Sequence, residues 1–236
     1  MEKYNDFLSR ISYQQPQLQL GEGKFEAAAG VSQKVNSENC FKAFYGDTVV
    51  FDLGGKTKKK LNKIIDKLYE EASECFCERL KEHTLHMTLH DLSAADNIEE
   101  IAADVFRNEV KLLRAIKKEP IESHKIQMQT NYIVNMANIS LVMALVPADK
   151  TEWNKLQKLY SLVDKVRVCP YPYLTPHITL AYFNCNGFEQ EAADKLKELV
   201  EKLNSKSMEI TLDTDKLFYQ KFVSMNEYMN VFKLSE

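Results

Sequence analysis

Apolar and polar positions change regime several times along this chain. Residues 1–43 follow neither a helical nor a strand period, and Gly21 and Gly23 interrupt them; they predict an irregular N-terminal arm with room for one short helix. From Phe44 the pattern sharpens. Thr48-Val49-Val50-Phe51-Asp52-Leu53 predicts a strand, ended by Gly54-Gly55. Leu61, Ile64, Ile65, Leu68, Ala72, Cys75, Phe76 and Leu80 recur at helical spacing and predict one helix over about 57–82. A strand follows over about 85–92. Asp96 or Asn97 then caps a second helix striped by Ile98, Ile101, Ala102, Val105, Phe106, Leu112, Leu113 and Ile116, which Pro120 stops. Ile126, Met128, Tyr132 and Val134 predict a half-buried strand. The nearly all-apolar run 139–146 predicts a central one, with a turn at Ala137-Asn138 between them. Thr151 caps a third helix striped by Trp153, Leu156, Leu159, Tyr160, Val163 and Val166. The link Pro170-Tyr171-Pro172-Tyr173 leads into a strand over 177–183 and a helix over about 188–203. Two β-like segments, around 208–218 and 222–232, close the chain.

The order strand, helix, strand, helix thus occurs twice, and the second strand of each set carries the same short motif. Leu85-His86-Met87-Thr88-Leu89 matches Pro176-His177-Ile178-Thr179-Leu180, with the two histidines 91 positions apart. On a strand the side-chain period is two, so His and Thr of each motif share one face. A half-buried strand with a polar solvent face would alternate in the same way. The repeated order of elements is what favours a duplicated unit, with two lobes sharing one core cleft. Two imidazoles and two hydroxyls facing each other suit attack on a phosphodiester, which needs a base, an acid and donors to the phosphoryl oxygens.

These motifs resemble the 2H phosphoesterase superfamily, which includes 2′-5′ RNA ligase-like proteins and cyclic phosphodiesterases. Its mark is a pair of H-x-[S/T]-φ motifs, φ being a large apolar residue. His86-Met87-Thr88-Leu89 and His177-Ile178-Thr179-Leu180 both fit, and Ala181-Tyr182-Phe183 is similar to the continuation of the second motif. Phe44 to Phe51 is similar to an early strand of a little-characterised bacterial branch. The resemblance covers about Phe44 to the C-terminus. It implies a bilobal α+β fold: two antiparallel sheets around a central cleft, helices outside, lobes of roughly 44–120 and 121–236, and exchange of strands between them allowed. It implies metal-independent chemistry, without a cofactor, on a 2′,3′-cyclic phosphate or short oligonucleotide. His86 and His177 would be the acid–base pair. For hydrolysis His177 is read as base and His86 as acid, and the reverse assignment stays open. Thr88 and Thr179 would bind non-bridging oxygens. Hydrolysis and ligation both remain open.

Composition bounds the partners. The chain has 236 residues, 44% hydrophobic and 28% charged, with a net charge of −3. A broad nucleic-acid surface would show a basic excess, so a small nucleotide in a cleft fits better than a long duplex. No run has the length of a membrane span, the first residues lack a signal-peptide core, and five cysteines without framework spacing fit reduced thiols. A monomer in the cytoplasm is expected. Cys75 and Cys77 read as buried thiols rather than a metal or redox pair. By strict alternation His90 shares the face of His86 and Thr88, either at the cleft rim or simply as an exposed histidine at the strand end. Tyr45, Tyr132, Tyr173 and Tyr182 are candidates to stack a base, Tyr173 and Tyr182 foremost. The run Lys56-Thr57-Lys58-Lys59-Lys60 reads as a solvated helix start. Two other classes compete: a nucleotide- or RNA-binding module that keeps the cleft without turnover, and a zinc protein using His83, His86 and His90 on a helix. Alternation across Met87, Leu89 and Asp91 favours a strand over that helix.

Overall fold

The computed structural model describes residues 2–168 and 173–235. The expected link at 170–172 lies outside the described residues. The elements run β1 (Tyr45–Asp52), β2 (His86–Ala95), β3 (Lys125–Met136), β4 (Ser140–Pro147), β5 (His177–Tyr182), β6 (Glu209–Asp213), β7 (Leu217–Ser224) and β8 (Glu227–Lys233). The helices are α1 (Tyr4–Arg10), α2 (Ala29–Ser32), α3 (Gly55–Ala72), α4 (Ile98–Lys118), α5 (Lys150–Asp164) and α6 (Gln190–Leu203). Two four-stranded antiparallel sheets result, ordered β2-β1-β7-β8 and β5-β4-β3-β6. This is the α+β architecture of two antiparallel sheets with helices packed against them.

The motif strands β2 and β5 are each an edge of their sheet, and these two edges lie against one another. One continuous apolar core runs through both sheets, joining Val49, Phe51 and Met87 to Leu141, Trp153 and Ile178. The C-terminal hairpin β7–β8 crosses back to pair with β1, so the first sheet contains both early and late chain.

The observed elements depart from the sequence pattern in four instructive places. The helix expected over 57–82 stops at Ala72, because the next residues find strand partners instead. Phe76 bridges Phe183, Cys77 N–H donates to the Tyr182 carbonyl at 3.1 Å, and Asn184 N–H donates to the Cys75 carbonyl at 2.9 Å. On α4 the expected stripe is too wide: Phe106 is 69% exposed, and Ile98 and Leu113 are exposed as well. The polar Asn108 takes the buried face, because its amide donates to the buried carboxylate of Asp47 and to Ser93 Oγ. The cap of α5 is Asp149 rather than Thr151; its carboxylate accepts from Thr151 N at 2.7 Å and Glu152 N at 3.0 Å. The two closing β segments are three strands. Asp213 accepts from Asp215 N and turns the chain at Thr214–Lys216, where it leaves one sheet for the other.

The arm is irregular with α1 and α2 in it, and it is not loose. Phe7 stacks on Trp153 with ring centroids 4.2 Å apart, and Phe25 on Phe188 at 4.5 Å.

Candidate active site

The two motif strands carry the same backbone irregularity at the same place. In β2, Thr88 pairs with Val50 and His90 with Val49, leaving Leu89 as an extra residue. In β5, Thr179 pairs with Val142 and Ala181 with Leu141, leaving Leu180 as the extra residue. Such a bulge re-aims the side chains that follow it. Before it, His86 and Thr88 on one strand, and His177 and Thr179 on the other, are partly accessible while their neighbours Met87 and Ile178 are fully buried. After it the alternation slips by one. Asp91 and Tyr182, each five residues past a motif histidine, turn to the accessible side; His90 and Ala181 turn inward.

Each histidine is held by the same contact. His86 Nδ1 lies 2.7 Å from the Thr84 carbonyl and His177 Nδ1 lies 2.7 Å from the Thr175 carbonyl. A carbonyl only accepts, so in each ring Nδ1 carries the hydrogen and Nε2 is the atom left for proton transfer. Both clamping loops are braced by a cation. Lys58 donates to the His83 carbonyl at 2.9 Å and pairs with Asp52, the strand partner of His86. Arg10 of the arm donates to the Leu174 carbonyl at 2.8 Å and to Thr175 Oγ1 at 2.9 Å, while Glu2 holds its other side. Lys58 therefore belongs to the site, not to a solvated helix start. The lysine run around it gives no sign of that, since the signal is the packing of α3 against the turn at residues 82–84 just before β2.

The electrostatics of the cleft are uneven. His86 is partly accessible, with Tyr228 packed edge-on against its ring. Burial pushes its pKa down to about 4, against the Thr84 carbonyl and Asp52; the charges of His177 and Lys58 push the same way as burial. The rings of His86 and His177 are thus close enough for their charges to interact. Burial raises Asp91, while His177, His90 and Lys34 oppose the rise. The phenols of Tyr182 and Tyr228 are raised by burial and by Asp91 among other charges. Tyr228 packs edge-on against His86 with centroids 5.1 Å apart, and Tyr182 against Phe41 at 5.7 Å.

The other residues singled out from sequence fall as follows. Tyr182 is partly accessible, with its hydroxyl 3.1 Å from Met225 Sδ. His90 does not stand at the cleft rim: its side chain is buried, Nε2 meets Asp164 at 3.1 Å, Nδ1 meets the Asp91 carbonyl at 2.6 Å, and the ring packs on Tyr160. The bulge at Leu89 is the reason. Tyr45 pairs with Ala95, at the far end of β1 from Asp52 and hence ~20 Å along the strand from His86. Tyr132 is on β3, which β4 separates from β5. Tyr173 is half-exposed and lies under the Arg10 guanidinium at 5.3 Å. Cys75 and Cys77 are buried, and burial pushes both thiols up to about 12. With His90 turned inward, His83, His86 and His90 do not converge; among the described residues no group of three or more His, Cys, Asp or Glu is placed to hold a metal. Among the described residues no helix is long and apolar enough to cross a membrane. Cavities of about 570 and 370 Å³ lie away from the histidines, beside α6 and between α4 and the end of α5 respectively.

No protein-family model and no curated protein matches the sequence. Solved structures do match the fold. A conserved protein of unknown function from Agrobacterium tumefaciens strain C58, ATU0111, is similar over 89% of this chain and 94% of its own, at 16% identity and a TM-score of 0.67. The two share a fold. At that identity the likeness extends to architecture alone. LigT from E. coli is similar over 81% of this chain and 96% of its own, at 13% identity and a TM-score of 0.46. TT0787 from Thermus thermophilus is similar over 80% and 98%, at 13% identity and 0.47. Those two superpositions are too loose to carry a residue or a reaction across.

Proposed function

We propose that this chain is a 2H-type phosphoesterase acting on a small 2′,3′-cyclic phosphodiester or short oligonucleotide end, with His86 and His177 as its acid–base pair. The observation that carries the reading is the duplicated clamp. Two histidines on abutting edge strands have the same Nδ1–carbonyl contact and the same bulge after the motif, so in both rings Nε2 is the nitrogen left for proton transfer. A satisfied structural histidine needs no such twin.

In hydrolysis, the oxygen of water forms a bond to phosphorus while the bond from phosphorus to one ribose oxygen breaks. One imidazole Nε2 takes the water proton, and the other imidazolium gives a proton to the departing ribose oxygen. The hydroxyls of Thr88 and Thr179 donate to the non-bridging oxygens, where charge accumulates. Tyr182 and Tyr228 form an aromatic wall for the rest of the nucleotide. No step uses a metal or a cofactor. The net charge of −3 leaves little attraction for long nucleic acid, in keeping with a small substrate.

The test is turnover of nucleoside 2′,3′-cyclic monophosphates by the purified protein, with and without EDTA. Hydrolysis that persists in chelator and falls on the order of a hundredfold in His86→Ala and in His177→Ala is the expected result. Full activity in both variants would remove the histidines from the chemistry, and binding of nucleotide without turnover would leave the cleft as a binding module.

A further inference from the structure

We propose that Gln220 reads the base of the substrate: its carboxamide, tied at one end to Asn230, pairs with the Watson–Crick edge of a nucleobase once the ring of Tyr228 turns aside. The inference rests on the phosphoesterase reading above and narrows it, from any small phosphodiester to one that carries a base.

Strand register puts Gln220 on the face that bears His86 and Thr88. Along β1, Asp52, Val50, Thr48 and Gly46 alternate onto one face. Asp52 pairs with His86 and Val50 with Thr88 on β2. On the other side Val50 pairs with Phe218, Thr48 with Gln220 and Gly46 with Phe222 on β7. Gln220 in turn pairs with Asn230, and Phe222 with Tyr228, on β8. Residues directly opposite one another share a face, so Gln220, Asn230 and Tyr228 all stand on the histidine side of the sheet.

The carboxamide of Gln220 is only half used. The side chain is 8% exposed, and its Nε2 donates to Asn230 Oδ1 at 2.6 Å. Its Oε1 is the one buried side-chain polar atom among the described residues without a hydrogen-bond partner. Such an acceptor is destabilising, and an apolar side chain of the same shape would serve a purely structural role better.

Tyr228 explains the burial. It is rooted on β8, the fourth strand of the sheet, yet its ring centroid lies 5.1 Å from that of His86 on β2, the first. In the paired rows, the diagonal between those two positions runs over Gln220 on β7 and Val50 on β1. Val50 is fully buried although it lies outside the main apolar core, as a residue under that ring should be. The ring also packs on Phe222 at 5.3 Å, and its hydroxyl lies 3.7 Å from Met225 Sδ. A thioether is a weak acceptor, so rotation of the phenol gives up little hydrogen bonding. With the ring aside, Gln220 Oε1 accepts from an N–H of the base, and the exposed Asn230 amide donates to the acceptor beside it. Each of the four bases carries such a donor–acceptor pair on that edge. The displaced phenol then offers the base a stacking surface.

The experiment compares the parent chain with Gln220→Met, which keeps the length and removes the amide. Substrates are the four nucleoside 2′,3′-cyclic phosphates and methyl riboside 2′,3′-cyclic phosphate, which has no base. Gln220→Met should raise KM for the nucleosides about tenfold with kcat little changed, leave the baseless substrate unaffected, and not lower Tm. An unmoved KM, an equal shift on the baseless substrate, or a lower Tm with KM unmoved overturns the proposal. A second measurement needs neither the variant nor turnover. In the parent, the side-chain amide signals of Gln220 and Asn230 and the ring signals of Tyr228 should shift in NMR spectra on adding uridine 3′-monophosphate, and stay in place with inorganic phosphate. Nucleotide binding that leaves those signals unmoved removes Gln220 from the site. Binding that moves them without any turnover counts against the phosphoesterase reading alone, and no binding at all overturns both.

Discussion

The β2 edge and the β5 edge solve one problem with different materials. Both hold a histidine by its Nδ1 against a carbonyl two residues back, and both re-aim the next side chains with a single extra leucine. The braces behind them differ in origin. Behind His86 stands Lys58, from the helix that follows β1 in the same lobe. Behind His177 stands Arg10, which comes from the far N-terminus and is itself fixed by Glu2. Backbone geometry is thus duplicated while the supporting contacts are not. The arm serves the second lobe as a substitute for a brace that its own helix α5 does not provide.

The comparison can be broken most decisively at the histidines. If the two edges are equivalent partners in one reaction, His86→Ala and His177→Ala should each lose on the order of a hundredfold or more in kcat, and the double variant little more than either single one. A variant pair with one large and one negligible loss would mean that only one edge does chemistry. The threonines come next. Thr88→Val and Thr179→Val keep shape and remove the donor, so each should cost roughly 1.5–3 kcal/mol in kcat with little change in KM or thermal stability. The braces should cost less. Lys58→Met and Arg10→Met each remove a donor to a clamping loop, for roughly 0.5–1.5 kcal/mol in kcat. Only Arg10→Met should also lower Tm, because Arg10 ties α1 to the second lobe. The smallest effect is expected from acid. Burial pushes the His86 pKa down to about 4, so if His86 is the imidazole that takes the water proton, kcat/KM should stay nearly flat from pH 6 to pH 5. A base with the ordinary histidine value of about 6.5 would instead lose close to tenfold across that unit.

Much of this architecture is legible along the sequence. The strand cores, the start of α4 at Asn97 and the turn at Ala137-Asn138, where both residues take positive φ, follow from period and turn chemistry. What the sequence conceals is set by partners far away. Ala72 ends α3 because residues near 183 offer Phe76 and Cys77 a strand edge, and no local breaker marks the spot. Asn108 looks solvent-facing until Asp47, 61 positions earlier, is seen to need it. The bulges are the costliest omission, since a period of two assigns His90 to the cleft and Asp91 to the core, the reverse of what is found. A trace exists in the second motif, where Leu180-Ala181 puts two apolar residues in succession and breaks the alternation just where the extra residue lies.

The crossing of β7 and β8 into the first sheet has a consequence for how the chain is made. β1 follows only α1 and α2 among the described elements, yet its second neighbour, β7, begins only at Leu217. Val49 meets Tyr219 across that pair, a separation of 170 positions. The sheet β5-β4-β3-β6 uses only residues up to Asp213, so its pairing does not depend on β7 or β8. The sheet bearing His86 cannot close until β7 and β8 are available. Closure over such a distance is slow, and an open strand edge invites pairing with other chains in the meantime. Newly made protein should therefore pass through a state with the second half ordered and the first still waiting, and aggregation during expression should begin from the unpaired flank of β1.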